Sequence, residues 1–591
     1  MKIFGSKSWW FILASILTLA TIVRFAHLDK VPAGLFYDEI DLGYQVRSFL
    51  NTGRDYKGFA NPLFFRSMNT DKTPFPILFS AITSKFFESS EYQVRSGAAI
   101  AGIITVFLAM VMTYQLTRRR FAVAIVGLVF SFSPWQIQFS RIAFETIFML
   151  MLFLATIVTF WHWRRSKRTW VFLLSGIFLG LNVYTYRPMS LFAPMMALAI
   201  FVVYFREIWA KGITLMTIWF MLIAGTMFPF LYMTTIDSSD QPRINQISIF
   251  SNKRIPIMVL RNREIDSNDF ANPQIGKSAV GSSFFFHNKV FTYLSDFSRN
   301  YIKSFSFDFL FVNGDPNGRH SPDRTGELIF LDIVGLIAGL IVFGKRIKEK
   351  NYRFLLILLL MSPIPADLTI DGADHASRLM IMSGSLLIII GIGYSELLLR
   401  LTKSKKYFIV AMGLIVVWII GVIFYLHRYF VHYPIESSRL FGYGFKQSIE
   451  KINKLEDQYQ KVRLTTASDP PMLYYLFWSG IPPSEIQSYG VNFDDKVIKN
   501  SPMDKVKPLF VDEKLCVGKV IDTLNSRTLY LVSFGDLPLD FRYKDRDRVP
   551  VGIKLLDIVK YPDNEIAYYL ITRDTDNMGN EILPNKITSC K

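Results

Sequence analysis

Residues 407–426 read YFIVAMGLIVVWIIGVIFYL, twenty consecutive side chains without a charge, and Arg400, Lys403, Lys405 and Lys406 crowd the sequence just before them. A helix of that length rises about 30 Å, the thickness of a bilayer's hydrocarbon core. Lipid is the natural burial place for such a surface. Ten further apolar runs fit the same template, at about 9–26, 95–116, 121–139, 142–162, 170–186, 189–205, 213–232, 327–343, 354–370 and 379–398. With 51% hydrophobic residues, 53 phenylalanines and only 19% charged residues, the composition exceeds what a soluble core of 591 residues needs. The chain therefore reads as a polytopic α-helical membrane protein with about eleven transmembrane helices. The first run follows Lys2 and Lys7 and contains Arg24, and no small-residue cleavage site follows it, so it reads as a retained helix and not a signal peptide.

Basic residues orient the spans. Lys2 and Lys7, Arg118 to Arg120, Arg164, Arg165, Lys167 and Arg168, Arg206 and Lys211, Lys345, Arg346, Lys348, Lys350 and Arg353, and the Arg400 to Lys406 group all fall in alternate turns. Only Glu207 and Glu349 oppose them, so these turns account for the whole formal excess of +18. By the positive-inside rule they are cytoplasmic, and so is the N-terminus, in a multi-pass plasma-membrane topology. The basic balance then needs no nucleic-acid partner.

Three outward regions are long enough to carry a site: residues 28–94, 233–326 and everything after about 431. The expected organisation is a membrane domain over 1–430 and an extracytoplasmic domain over 431–591. The latter is expected to be mixed α/β. Ser437 or Ser438 would cap a helix that places Phe445, Ile449, Ile452 and Leu455 on one face, and strands are expected at 461–466, 529–534, 553–559 and 566–571. Cys516 and Cys590 both lie there, where they can pair or stay as thiols, and no cysteine cluster suggests zinc or iron-sulfur binding. The chain shows no internal repeat and no low-complexity linker.

The first outer loop carries Pro32-Ala33-Gly34-Leu35-Phe36-Tyr37-Asp38-Glu39, then Gly43, Gly53 and Lys72-Thr73-Pro74-Phe75-Pro76. Adjacent carboxylates are often mere surface charge. Here Phe36 and Tyr37 would put Asp38 in a partly desolvated setting, where a carboxylate can accept a proton. Arg95, Arg141, Arg187 and Arg378 sit at outer helix ends, against the topological charge bias. Each alone can be a side chain snorkelling to lipid headgroups; together they can converge on one anion, since guanidinium binds phosphate bidentately.

Asp38-Glu39, Arg95, Ser133-Pro134-Trp135, Ser140-Arg141 with Glu145, and Tyr184-Thr185-Tyr186-Arg187-Pro188 together resemble glycosyltransferase family 39 of the type C superfamily, which includes protein O-mannosyltransferases and lipid A aminoarabinose transferases. The resemblance covers roughly residues 1–230, is looser over 284–430 and does not reach the C-terminal region. It implies transfer of a hexosyl or pentosyl group from a polyprenyl-phosphate carrier to a hydroxyl of a protein, lipid or wall-polymer acceptor on the outer face, with inversion. Asp38 matches the family's catalytic aspartate, with Glu39 supporting it. Arg95, Arg141, Glu145, Tyr186 and Arg187 would serve substrate binding, and positive charge would stabilise the phosphate leaving group. Two later segments can complete the site: Gly314-Asp315-Pro316-Asn317-Gly318-Arg319-His320, through Arg319 and His320, and Asp371-Gly372-Ala373-Asp374-His375-Ala376-Ser377-Arg378, through His375 and Arg378. Structured loops with paired charges are the plainer alternative for both. No cofactor is required; some superfamily members use a divalent metal, but no tight ligand spacing supports one here. The competing class is a transporter or flippase of lipid-linked sugars, which would place ionisable groups at mid-membrane and show related halves. Arg24, Glu145, Asp332, Asp367 and Glu396 lie mostly toward helix ends instead, and the halves differ.

Overall fold

A computed structural model describes residues 6–60, 63–68, 71–236, 246–267, 282–467, 469–488, 506–508, 524–533, 536 and 553–574. Cys516 and Cys590 lie outside the described residues, so their pairing is not addressed. Every apolar run forms helix. Among the described residues, seven helices are long and apolar enough to cross a membrane: Ser8–Phe25, Ser90–Thr117, Thr146–Ser166, Met189–Trp209, Ile213–Thr234, Met380–Leu401 and Lys405–Glu436. The pair Arg120–Phe132 and Pro134–Arg141, bent by 56°, is long and apolar enough when taken together and makes an eighth if it is one span. The bend has a local cause. Ser133 precedes a proline and takes extended angles (ψ 128°), which ends the first helix before the second begins.

The other three runs give shorter helices, Thr169–Leu181, Asp332–Lys345 and Lys350–Met361, of 13, 14 and 12 residues. Their ends are chemically marked. Pro363 and Pro365 follow the third, polar Asn182 follows the first, and the second starts at Asp332, whose carboxylate accepts the Ile329 N–H at 3.2 Å.

By contacts the chain divides into two compact units, residues 1–25, 98–140 and 145–426, and residues 26–97, 141–144 and 427–591. In the first, Asp332–Lys345 and Met380–Leu401 pack through glycines. A Cβ on Gly393 would lie 2.0 Å from the Gly335 carbonyl oxygen and 2.3 Å from the Gly339 nitrogen, and one on Gly339 would lie 2.2 Å from the Ile389 oxygen. Small residues of this kind let membrane helices approach backbone to backbone.

The second unit departs from a simple division near residue 430, because the first loop shares a hydrophobic core with the C-terminal region. Leu35, Ile40 and Tyr44 are buried in one cluster with Phe445, Ile449, Tyr474, Phe477 and Leu529. Its sheet has β1 (Lys461–Leu464), β2 (Val506–Pro508), β3 (Thr528–Val532), β4 (Ile553–Lys560) and β5 (Ile566–Arg573) in the order β2-β1-β3-β5-β4. β1 runs parallel to β2 and β3, and β5 is antiparallel to β3 and β4. All four expected strands are present and the domain is mixed α/β; three-residue β2 is additional. The helix Phe445–Leu455 buries Phe445, Ile449 and Ile452, as its periodicity requires. Its expected cap is corrected. Gly444 (φ 95°) precedes it, while the Ser437 and Ser438 hydroxyls donate to the Tyr433 and Ile435 carbonyls of the preceding turn.

The glycine packing is testable by size. Gly393→Val should destabilise the detergent-purified protein by about 1–3 kcal/mol, read as a lower thermal unfolding midpoint, whereas Gly413→Ala, with nothing within 4 Å of the new Cβ, should leave it unchanged.

Candidate functional site

The acidic pair sits in the first turn of the helix Tyr37–Thr52, where carboxylates favour the helix dipole. Phe36 is the N-cap, in extended backbone, and its N–H donates to Glu39 Oε2 at 3.3 Å. Glu39 is fully buried and meets Arg95, also fully buried, in a two-pronged pair: Nε to Oε1 and Nη2 to Oε2, both at 2.8 Å. The Ala143 N–H adds a bond to Oε1 at 3.0 Å. Arg95 then gives its remaining hydrogens to carbonyls of the loop before the helix. Nη1 donates to Leu28 (3.0 Å) and Pro32 (2.9 Å), and Nη2 to Gly34 (2.6 Å). That accounts for all five guanidinium hydrogens. Arg141, equally buried, donates from Nη2 to the carbonyls of Ala26 (2.8 Å) and Val31 (2.9 Å) and lies 4.8 Å from the Phe430 ring centroid. Arg95 and Arg141, expected to serve substrate binding, are both sealed from solvent here and hold carbonyls of the 26–34 loop. Glu39 likewise acts as the loop's internal anchor.

Asp38 is different. Its side chain is 38% exposed, and its Oδ1 accepts from Lys72 Nζ at 2.5 Å. The aromatics next to it in sequence pack on other rings: Phe36 stacks on Phe144 and meets Phe441 edge-on, and Tyr37 packs on Tyr474. One turn further along the helix lies Asp41, fully buried, with Oδ2 accepting the Ser67 hydroxyl at 2.6 Å and standing 3.9 Å from Lys72 Nζ. Burial pushes the Asp41 carboxyl up to about 6 against the opposing pull of Lys72 and Ser67. Neither Lys72 nor Asp41 was assigned a role from sequence. The available signal was helical spacing, since Asp38 and Asp41 are three residues apart and share a face.

The other candidates lie in the first unit. Glu145 is half-buried directly before the helix Thr146–Ser166, and Tyr186 and Arg187 are half-buried before the helix Met189–Trp209, accepting its first N–H groups at their carbonyls. Arg378 pairs with Asp371 at 2.5 Å and Thr369 at 2.7 Å. Arg319 is half-buried, its carbonyl accepting Gln138 Nε2 at 2.6 Å. The two late segments meet through Asp315. Its Oδ2 accepts the Ala376 N–H at 2.7 Å and lies 2.8 Å from His320 Nδ1 and 3.8 Å from His375 Nδ1. Burial works to raise the Asp315 carboxyl, but the His320 contact outweighs it and holds the group below its usual value. Burial and the His320 charge push His375 down to about 4. Among the described residues, this is the one cluster of three His, Cys, Asp or Glu groups with ligand atoms close enough for a metal.

Asp41 supplies a pH test. Because its folded value, about 6, lies above the roughly 3.9 of an unfolded aspartate, its contribution to stability is complete below pH 4 and is lost as pH climbs through 6. Asp41→Asn should therefore flatten the fall in thermal stability between pH 4 and 7 and leave the variant more stable than wild type at pH 8. An unaltered pH slope would contradict that assignment.

Residues 14–234 match the family described as dolichyl-phosphate-mannose-protein mannosyltransferase. Among curated proteins no sequence matches the chain. ArnT from Cupriavidus metallidurans, in the apo state and bound to undecaprenyl phosphate, aligns in each case with a TM-score of 0.53 at 11% identity, over 98% of this chain and 100% of that one. The archaeal oligosaccharyltransferase AglB from Archaeoglobus fulgidus, in complex with an inhibitory peptide and a dolichol-phosphate, gives a TM-score of 0.46 at 12% identity, over 80% of this chain and 64% of that one. The resemblance read from the first 230 residues thus coincides with the family match over residues 14–234, and the chain shares the fold of ArnT.

Proposed function

We propose that this chain is a polyprenyl-phosphate-sugar-dependent membrane glycosyltransferase working at the outer face, with Asp38 as general base. The observation that carries the reading is the division within the acidic pair: Glu39 is sealed against Arg95, whereas Asp38 keeps over a third of its side chain in solvent. A base must be open to its substrate, and the exposure of Asp38 supports that role for it rather than for Glu39. The acceptor hydroxyl oxygen attacks the anomeric carbon as the bond to the carrier phosphate breaks; its proton passes to Asp38 and the electron pair leaves on the phosphate oxygen, with inversion. Lys72, at 2.5 Å from Asp38, is the cation adjacent to that event. It offers its charge to the leaving phosphate, a task the sequence reading gave to the set Arg95, Arg141, Arg187 and Arg378.

The donor class follows from the mannosyl-carrier description of the matching family and from the undecaprenyl phosphate bound by ArnT. The basic cytoplasmic turns put the N-terminus inside and residues 431–591 outside. The sugar is a hexose or pentose, and the acceptor a hydroxyl of protein, envelope lipid or wall polymer.

The test is single-turnover transfer by purified protein supplied with a panel of polyprenyl-phosphate sugars, following carrier release. With the active donor, Asp38→Asn should retain binding while transfer slows by roughly a hundredfold or more. Near wild-type transfer by folded Asp38→Asn would remove it as the base.

A further inference from the structure

Asp315, His320 and His375 place three ligand-type atoms within 4.8 Å of one another. Histidines five and sixty residues from Asp315 flank one carboxylate oxygen, with Nδ1 atoms at 2.8 and 3.8 Å from Oδ2. Around a tetrahedral zinc, with bonds near 2.0–2.1 Å, ligand atoms stand roughly 3.3 Å apart. The two distances straddle that value, and no pair of the three atoms is more than 4.8 Å apart. An Asp–His hydrogen bond alone explains His320. It does not explain a second imidazole whose ring centroid is 4.8 Å from the first.

The surroundings hold these groups in place. Asp315 Oδ1 accepts the Asn317 N–H at 2.8 Å, and its own N–H donates to the buried Glu327 at 3.1 Å. The loop is tightly closed, since a Cβ on Gly314 (φ 69°) would sit 2.2 Å from the Thr325 carbonyl oxygen. Phe139 covers the His320 ring at 5.7 Å. Oriented outer contacts of this kind accompany metal-binding histidines and carboxylates. His375 Nδ1, the nitrogen that faces Asp315, also lies 3.0 Å from Ser377 Oγ, a contact that it would give up to an ion.

We propose that Asp315, His320 and His375 form a binding site for a divalent transition metal, with zinc the best match to two imidazoles and one carboxylate. His320 would exchange its hydrogen bond to Asp315 for a bond to the ion. The site joins residues 314–320 to residues 371–378, two segments far apart in sequence, and so acts first as a staple between loops. This proposal does not depend on the transferase reading.

The full chain, purified in detergent through a tag without histidines and stripped with EDTA, should take up one zinc per chain in calorimetric titration and elemental analysis, with a rise in thermal unfolding midpoint. Zinc absorption spectroscopy should show imidazole and oxygen ligands at about 2.0 Å. His375→Gln should weaken binding by about a hundredfold, the upper end seen even for outer-contact changes, whereas His287→Gln should not. No stoichiometric uptake, sulfur ligands at about 2.3 Å from Cys516 or Cys590, or wild-type affinity in folded His375→Gln would each overturn the proposal. If His375→Gln does not fold, the wild-type absorption spectrum decides alone.

Discussion

The Glu39–Arg95 ion pair is the constraint on which the second unit's site depends. Both groups are fully buried, and removing two charges from water is expensive unless every donor and acceptor finds a partner. Here the chain supplies them. One guanidinium satisfies the carboxylate, and three carbonyls of the 28–34 loop satisfy the guanidinium. The same pair thereby fixes the loop's path, the start of the helix Tyr37–Thr52 and the Ala143 backbone. Helix geometry then dictates the rest: neighbours on a helix diverge by about 100°, so when Glu39 turns inward Asp38 must face elsewhere. The exposed, Lys72-paired carboxylate follows from its buried neighbour.

That argument also explains what the sequence could and could not disclose. A twenty-residue uncharged run has few fates, so the membrane helices were legible; even the three short ones occur where expected, cut back by Pro363, Pro365, Asn182 and Asp332. The four longer strands were legible as short strand-like runs. The acidic pair was visible as a motif, but which of its members is buried is decided by Arg95, 56 residues on from Glu39, and no local pattern records that contact. Arg95 and Arg141 were read as anion binders because a guanidinium at a helix end suits a phosphate. A guanidinium's donors suit a buried carboxylate and a knot of backbone carbonyls as well, and those are the partners Arg95 meets in the folded loop.

The cluster at Asp315 was hidden for the same reason. Its two segments were each quoted as turn-rich and charged, and no ligand spacing linked them, because the link is made by the fold. The Ser437 and Ser438 caps failed differently: hydroxyls that can cap the following helix can equally close the preceding turn, and both donate to carbonyls there. Local hydroxyl chemistry is ambiguous in direction.

The most direct measurement of the central claim is a double-mutant cycle on thermal unfolding of the detergent-purified protein with Glu39→Gln, Arg95→Gln and the two combined. If the buried pair organises the loop, each single change leaves an uncompensated partner and costs about 3–5 kcal/mol, while the double variant loses little more than the worse single one. Two small losses that add within about 0.5 kcal/mol would contradict it, and with it the account of why Asp38 is presented to solvent.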